Sequence, residues 1–337
     1  MSKSVPDSPL LGVPSSTVAA PILLKSPEAS VRVFPDEWKK SIKLGELATV
    51  LKSRDLALEY RIVRTLTETD LMMNRLYRYK PIDGLRRDRY KDIVPFSENR
   101  VLLSDGSYIN ASYMPNWNGK NPRAFIASQG PLQSTIGDQW DLIWSHGIEV
   151  VVTIGKLAEG ATEKCAEYWP TKAKSPMVAT GPKNREFNLR CVRETLIADD
   201  MIIHRKISIS VAGDEERVID HYHFVAWPDH RSVPPEALIA IVRIIQAQRR
   251  ATVSAQSVLV HCSAGVGRTG CVLLLSNCVE CMEEQLACGK TIQDAQLSVM
   301  SILLELRKNR VFIVERTWQY DCVYAAVAEI VRLGILP

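Results

Sequence analysis

The segment Val258-Leu-Val-His-Cys-Ser-Ala-Gly-Val-Gly-Arg-Thr-Gly270 leaves few choices for the chain around it. Ser257 to His261 is a short, apolar, β-branched run bounded by polar residues, which predicts a buried strand. From Thr269 to about Leu286 the apolar pattern predicts a long helix. Between them, Cys262 to Arg268 must turn the chain, and Gly265 and Gly267 permit backbone angles that other residues resist. Such a turn aims successive N–H groups inward at the positive end of a helix, which makes an anion site. Arg268 adds a planar fork that matches two phosphate oxygens at once. Cys262 lies at the bottom of this cradle, where positive charge favours the thiolate. A nucleophile beneath a phosphate cradle is placed for attack on phosphorus. The competing reading is an ordinary glycine-containing turn with a buried cysteine and a surface arginine. The order strand, nucleophile, cradle, arginine, helix argues against it.

The remaining composition sets the setting for that loop. A chain of 337 residues with 46% hydrophobic and 24% charged residues is globular and has material for a sizeable core. Lys+Arg 42 against Asp+Glu 38 gives a net charge of +4, which suits anionic substrates and excludes the dense basic character of a nucleic-acid binder. Eight cysteines in this length do not make a disulfide scaffold. Cys278 and Cys281 form a CxxC inside a predicted helix with no second pair at zinc spacing, so they are read as core packing and no metal is expected. A working thiolate implies a reducing compartment. No membrane-spanning run and no signal peptide are visible, so a cytoplasmic location is expected, without membrane insertion.

Along the chain, residues 1 to 33 are rich in Ser, Pro and Ala and read as a disordered tail. Ser8-Pro9 and Ser26-Pro27 within it suit a proline-directed kinase, though such dipeptides also arise by chance. A helix is predicted from Ser53 toward Tyr79, ended by Pro81 and Gly84. Then follow a basic stretch, Arg86 to Ile93, and short strands around Tyr108–Ala111 and Ala124–Ile126. Ser134 or Thr135 opens a helix with Ile136, Trp140, Ile143 and Trp144 on one face, closed by Gly147. Glu149 to Leu157 is a strand of the buried kind, and Glu186–Leu196 with Met201–Val211 suggests a hairpin turning at Ala198-Asp-Asp200. A strand over Arg217–Trp227 leads to Trp227-Pro-Asp229, and Pro234-Pro235 start a further helix. Two last helices are predicted over Thr291–Arg310 and Arg316 to about Leu333. The mixture predicts an α/β (α+β) fold: one domain, residues 34–337, with a twisted mixed sheet flanked by helices on both sides. The phosphate-binding loop joins a central strand to a helix.

Taken with that alternation, a set of motifs resembles the catalytic domain of the tyrosine-specific protein phosphatases, cysteine-dependent and of non-receptor type. They are Arg89-Tyr-Lys-Asp-Ile93 with Pro95-Phe96, Tyr108-Ile-Asn-Ala-Ser112, Gln129-Gly-Pro-Leu132 and Lys164-Cys165 with Tyr168-Trp-Pro170. Trp227-Pro-Asp229, His261 to Gly270 and Gln319-Tyr320 complete the series over roughly residues 50 to 330. Each short motif is weak alone; their shared order is strong.

The resemblance implies a metal-free and cofactor-free, two-step hydrolysis of phosphotyrosine in proteins, through a phosphocysteine on Cys262. Arg268 and the loop residues Ser263, Ala264, Gly265, Val266 and Gly267 hold the phosphate oxygens. Asp229 is the general acid, then the base; alone, Trp-Pro-Asp would read as a turn with a helix-capping aspartate. Thr269 donates its hydroxyl to the cysteine sulfur, or caps the following helix. His261 tunes the cysteine through buried hydrogen bonds, Glu159 orients Arg268, and Lys164 is the family's mobile loop lysine. Tyr90 lines the pocket wall and makes the cleft deep enough for phosphotyrosine and too deep for phosphoserine, while Asp92 grips the substrate backbone. The implied partners are phosphotyrosine-containing proteins, with no nucleic acid, acted on by a monomer in signal transduction.

Three departures from the family pattern stand out. Glu315 occupies the place of a water-positioning glutamine, four residues before Gln319, which shifts the hydrolysis step toward Gln319. The segment His230-Arg-Ser-Val-Pro234 is one residue longer than usual and lacks the glycine, which touches loop closure. Phe312 stands where relatives have a small residue, which obstructs a secondary groove. Two other function classes compete: a phosphotyrosine-binding adaptor without turnover, and a phosphatase for phosphoserine, phosphothreonine or lipid phosphates. The first expects loss of Cys262, Arg268 or Asp229, all of which are present; Tyr90 argues against the second.

Overall fold

The predicted strand before the cysteine runs through the middle of a mixed sheet. A computed structural model describes residues 40–74, 84–227, 232–251 and 257–336, all within one compact unit, Asp36–Pro337. The tail over residues 1–33, with both Ser-Pro pairs, lies outside the described residues. Among them the sheet has nine strands: β1 (Arg100–Leu102), β2 (Tyr108–Met114), β3 (Phe125–Ser128), β4 (Val150–Ile154), β5 (Met177–Thr180), β6 (Glu186–Ile197), β7 (Ile202–Ser210), β8 (Arg217–Phe224) and β9 (Val258–His261). Their spatial order is β1-β2-β3-β9-β4-β8-β7-β6-β5. Strand β9 is parallel to β3 on one side and β4 on the other, and β4 is parallel to β8. The remaining pairs are antiparallel.

Every residue of β4 and β9 is buried, as central parallel strands covered on both faces require. The main helices are α1 (Leu56–Asn74), α2 (Ile136–Ser145), α3 (Pro235–Ala251), α4 (Gly267–Ala287), α5 (Val299–Arg307) and α6 (Thr317–Leu333). Leu259 of β9 shares a core cluster with Trp140, Leu142 and Ile143 of α2. Side-chain alternation turns Val258 and Val260, both buried, away from that face. Helices α3, α4 and α6 pack on one another. Cys278 and Cys281 are buried in α4 and serve as packing, as read from the sequence.

Several boundaries move for identifiable reasons. The hairpin turns at Ala198, Asp199 and Asp200, all with positive φ (52°, 50° and 61°), and aspartate is among the residues that tolerate this region best. Gly147, with φ 62°, closes α2 as expected. The expected helix over Thr291–Arg310 is only Val299–Arg307. Its start is set by Ser298, whose side chain accepts from the Ser301 N–H at 3.2 Å, and by Gln296–Leu297, held extended against Ile42–Lys43. Helix α4 begins at Gly267, two residues before Thr269, so Thr269 sits in the first turn and is not the cap. Helix α1 is described to Asn74; the expected continuation to Tyr79 lies outside the described residues.

Candidate active site

Residues Cys262 to Val266 leave the C-terminal end of β9, and α4 begins at once. Cys262 is 6% exposed and lines a cleft of about 470 Å³ together with Ser263, Ala264, Val266, Gly267 and Arg268. A second wall is formed by Tyr90, Asp92 and Ile93, a third by Glu159 and Lys164, a fourth by Glu315, Arg316, Trp318 and Gln319. The fold thus brings the expected loop, pocket and support residues together from segments far apart in the chain. Gly265 differs from the expectation: it is absent from the cleft lining, its φ is 68°, and a Cβ there would run into Ser128 O. Glycine is needed at that position because the backbone is both left-handed and in contact with β3.

Arg268 Nη2 donates to Glu159 Oε1 at 2.5 Å, and Lys164 Nζ stands 3.5 Å from the other carboxylate oxygen. Burial works against the Glu159 charge, yet Arg268 and Lys164 outweigh it and hold this carboxyl below its ordinary range. Gly155, at φ 98°, leaves the room the guanidinium occupies, since a Cβ there would meet Nη1. A planar cation is thus held at the cleft by a carboxylate that cannot easily be protonated.

His261 is fully buried, and burial takes its pKa down to about 4, so the ring is neutral near pH 7. Its Nδ1 lies 3.2 Å from the Cys262 carbonyl, which can only accept, so Nδ1 carries the proton. Nε2 is then the acceptor, with the hydroxyls of Thr153 and Tyr168 each 2.8 Å away. The ring therefore fixes the backbone of Cys262. Thr269 behaves differently from the expectation. It is fully buried and its hydroxyl has no hydrogen-bond partner, so the expected bond to the Cys262 sulfur is not made in this arrangement.

Ser263 Oγ donates to Lys164 O at 2.8 Å, which spends its only proton; the Tyr90 hydroxyl, 2.9 Å away, therefore donates to it. This chain ties the pocket wall to the loop. The basic stretch before Tyr90 is a clasp. Arg89 donates to Gly130 O (3.0 Å), Pro131 O (2.7 Å) and Glu163 O (2.9 Å), and Arg87 to Tyr108 O at 2.8 Å. Gln319 caps the fourth wall: its Oε1 accepts from the N–H groups of Glu315 (2.8 Å) and Arg316 (3.1 Å). A Cβ on Gly267 would lie 2.6 Å from Gln319 Nε2, so the amide rests on the loop backbone. Glu315 keeps its carboxylate half-exposed, paired with Arg316 at 3.2 Å. Phe312 is half-buried against Ile93, Phe96, Val266 and Val311. Asp229 lies outside the described residues; Trp227, just before it, is fully buried against Phe224.

One loop contact escaped the sequence reading, which treated Arg310 as the last residue of a helix. Arg310 is fully buried and donates to the carbonyls of Gly265 (2.9 Å) and Ala264 (3.0 Å). Nothing local in the sequence separates it from the basic residues that commonly end a helix.

Comparison with known proteins identifies the family. The sequence model described as Protein-tyrosine phosphatase matches residues 85–329. Human tyrosine-protein phosphatase non-receptor type 7 is 30% identical over 251 residues, covering 72% of this chain and 63% of the relative. Rat tyrosine-protein phosphatase non-receptor type 5 is 32% identical over 259 residues, covering 73% of this chain and 64% of the relative. The chain thus spans under two thirds of the length of these relatives. The crystal structure of the catalytic domain of human protein tyrosine phosphatase non-receptor type 18 superposes with a TM-score of 0.71 at 27% identity, covering 86% of this chain and 100% of that one. The chain belongs to the protein-tyrosine phosphatase family.

Proposed function

We propose that the chain hydrolyses phosphotyrosine in proteins through a phosphocysteine on Cys262. The observation that carries this reading is Cys262 in a cleft it shares with Arg268 and with Tyr90, which is tied to the loop through Ser263. In the first step the Cys262 thiolate attacks phosphorus, and the bond from phosphorus to the tyrosine oxygen breaks. Asp229 gives its proton to the departing phenolate. In the second step water attacks phosphorus, Asp229 takes a proton from it, and the phosphorus–sulfur bond breaks to release phosphate and the thiolate. Arg268 and the loop amides hold the non-bridging oxygens throughout, each charge-assisted bond contributing about 1.5–3 kcal/mol. Gln319 steers that water in this reading, which its amide lying against Gly267 and lining the cleft beside Glu315 supports.

Residues 34–337 act as the catalytic domain behind the Ser/Pro-rich N-terminal tail, as a monomer in cytoplasmic signal transduction. Among the described residues no helix is long and apolar enough to cross a membrane. A relative, the non-receptor type 18 phosphatase, has been solved in complex with HER2 phosphopeptides, and substrates of that chemical kind are proposed here. The test is turnover of matched phosphotyrosine and phosphothreonine peptides, with vanadate as a phosphate-like competitor. Phosphate release from the first alone supports the reading. Binding of phosphotyrosine peptide without release would establish the adaptor in its place, and equal turnover would remove the specificity claimed for Tyr90. Cys262→Ser should abolish release and keep binding.

A further inference from the structure

A second guanidinium stands behind the phosphate loop. Arg310 is 0% exposed; its Nε donates to Gly265 O at 2.9 Å and its Nη2 to Ala264 O at 3.0 Å. In a trans peptide the N–H points opposite to the carbonyl that precedes it. The two carbonyls turned to Arg310 therefore send the N–H groups of Gly265 and Val266 the other way. Without a buried donor at this position, those carbonyls would be left unsatisfied or would rotate, taking the amides with them.

Arg310 is itself held from β2. Nη2 donates to Asn110 Oδ1 at 2.8 Å and Nη1 to Ser112 Oγ at 3.2 Å. Asn110 Nδ2 in turn donates to Asp88 Oδ1 at 2.8 Å, and Tyr108 OH donates to the same oxygen at 2.6 Å. Asp88 is thus the carboxylate nearest along this hydrogen-bond path. Burial lowers the Arg310 pKa to about 10, and the charges of Tyr108, Cys262 and Asp88 act in the opposite sense. Burial raises that of Asp88 against its two hydrogen bonds and the Arg310 charge. A thiolate at Cys262 and the cation at Arg310 therefore stabilise each other, while Asp88 competes for the same cation.

We propose that Arg310 is a positioning residue with two tasks: it turns the loop amides toward the phosphate, and it is a second cation supporting the Cys262 thiolate from behind. Asp88, through Asn110, moderates that support. The proposal rests on the reading of Cys262 as the nucleophile. Other groups act on the cysteine as well. Arg268, Lys164, Glu159, Asp92, Glu315 and Arg316 share its cleft. Cys165 and Cys271 are kept as thiols by burial, and the neutral His261 adjoins it. Changes at 310 and 88 remove none of these side chains.

The experiment is the pH dependence of Cys262 alkylation by iodoacetamide in the full chain, read by mass spectrometry at the Cys262 peptide. Arg310→Met is expected to move the midpoint upward by about one pH unit, a tenfold loss of thiolate at a fixed lower pH. Arg310→Lys is expected to restore most of that shift, and Asp88→Asn to move the midpoint downward. A midpoint unmoved in Arg310→Met, with only a lower unfolding temperature, would overturn the proposal. If Arg310→Met does not fold, Asp88→Asn decides: a midpoint unchanged or raised overturns it equally. Alkylation needs no turnover. Absent phosphate release with these shifts intact would therefore remove the phosphatase reading and leave this one standing.

Discussion

Glu159 Oε1 and Arg268 Nη2 lie 2.5 Å apart at the cleft, both with side chains largely withdrawn from solvent. The carboxylate is charged well into acid, so the guanidinium is oriented before any phosphate arrives. Glu159→Gln keeps the shape and removes the charge. Loss of one charge-assisted bond, about 1.5 kcal/mol, predicts a roughly tenfold rise in KM for a phosphotyrosine peptide. Steady-state kinetics check it; an unchanged KM would show that Arg268 needs no such support.

Tyr90 holds the loop through one hydroxyl contact and forms the wall with its ring. The two roles separate by substitution. Tyr90→Phe should cost about 1 kcal/mol in stability, a single hydrogen bond, with little change in substrate choice. Tyr90→Ala should lower the preference for phosphotyrosine over phosphothreonine peptides by an order of magnitude or more. Equal preference in both variants would refute the assignment of depth to the ring.

Glu315 places a carboxylate in the cleft that holds Cys262 and Arg268, paired with Arg316 at 3.2 Å. If Glu315 stands in the place of a water-positioning glutamine, its carboxylate lacks the amide N–H donors of that side chain, and the loss falls on the second step rather than on the first. Glu315→Gln is expected to raise steady-state turnover several-fold and shrink the pre-steady-state burst of phenol release. A burst of unchanged size would place the slow step elsewhere.

His221, His223 and His261 are buried and kept neutral; burial takes both His223 and His261 to about 4 and His221 well down. In the unfolded chain each titrates near 6.5. Between about 6.5 and 4 the unfolded state therefore binds protons that the folded state refuses. Stability from these groups is complete above about pH 6.5 and is lost as the pH falls, at about 1.4 kcal/mol per pH unit per histidine. Urea unfolding at pH 7.5 and pH 5 should show a clear drop in midpoint. Equal midpoints would mean that the rings are charged in the folded chain.

Gly265 offers a sharp test of the loop backbone. Its φ is 68° and an added methyl would collide with the carbonyl of Ser128 on β3. Gly265→Ala should abolish the rise in melting temperature produced by vanadate, while the sheet signature in circular dichroism persists. A vanadate shift equal to that of the parent would show that the loop accommodates a side chain.

Much of this protein was legible from local pattern. Val258 to Gly270 names its own strand, loop and helix because apolar burial, glycine freedom and an arginine fork act within a dozen residues. Tyr90, Glu159, Lys164 and Gln319 were legible only through resemblance, since no periodicity marks a residue that meets its partner across the fold. Arg310 was invisible in the same way: its partners Ala264 and Gly265 lie some 45 residues earlier. Thr269 shows the reverse limit, a role implied by motif whose hydroxyl finds no partner in the packed site. Local sequence determined what can be written by short-range sterics and burial: seven of the nine sheet strands, Arg100–Leu102 and Met177–Thr180 being missed, the turn at Ala198–Asp200, and the loop with its cysteine and arginine. Tertiary structure alone decided which distant side chains hold that cradle in shape, because hydrogen bonds to backbone carbonyls select a partner by position in space and leave no signature in the order of residues.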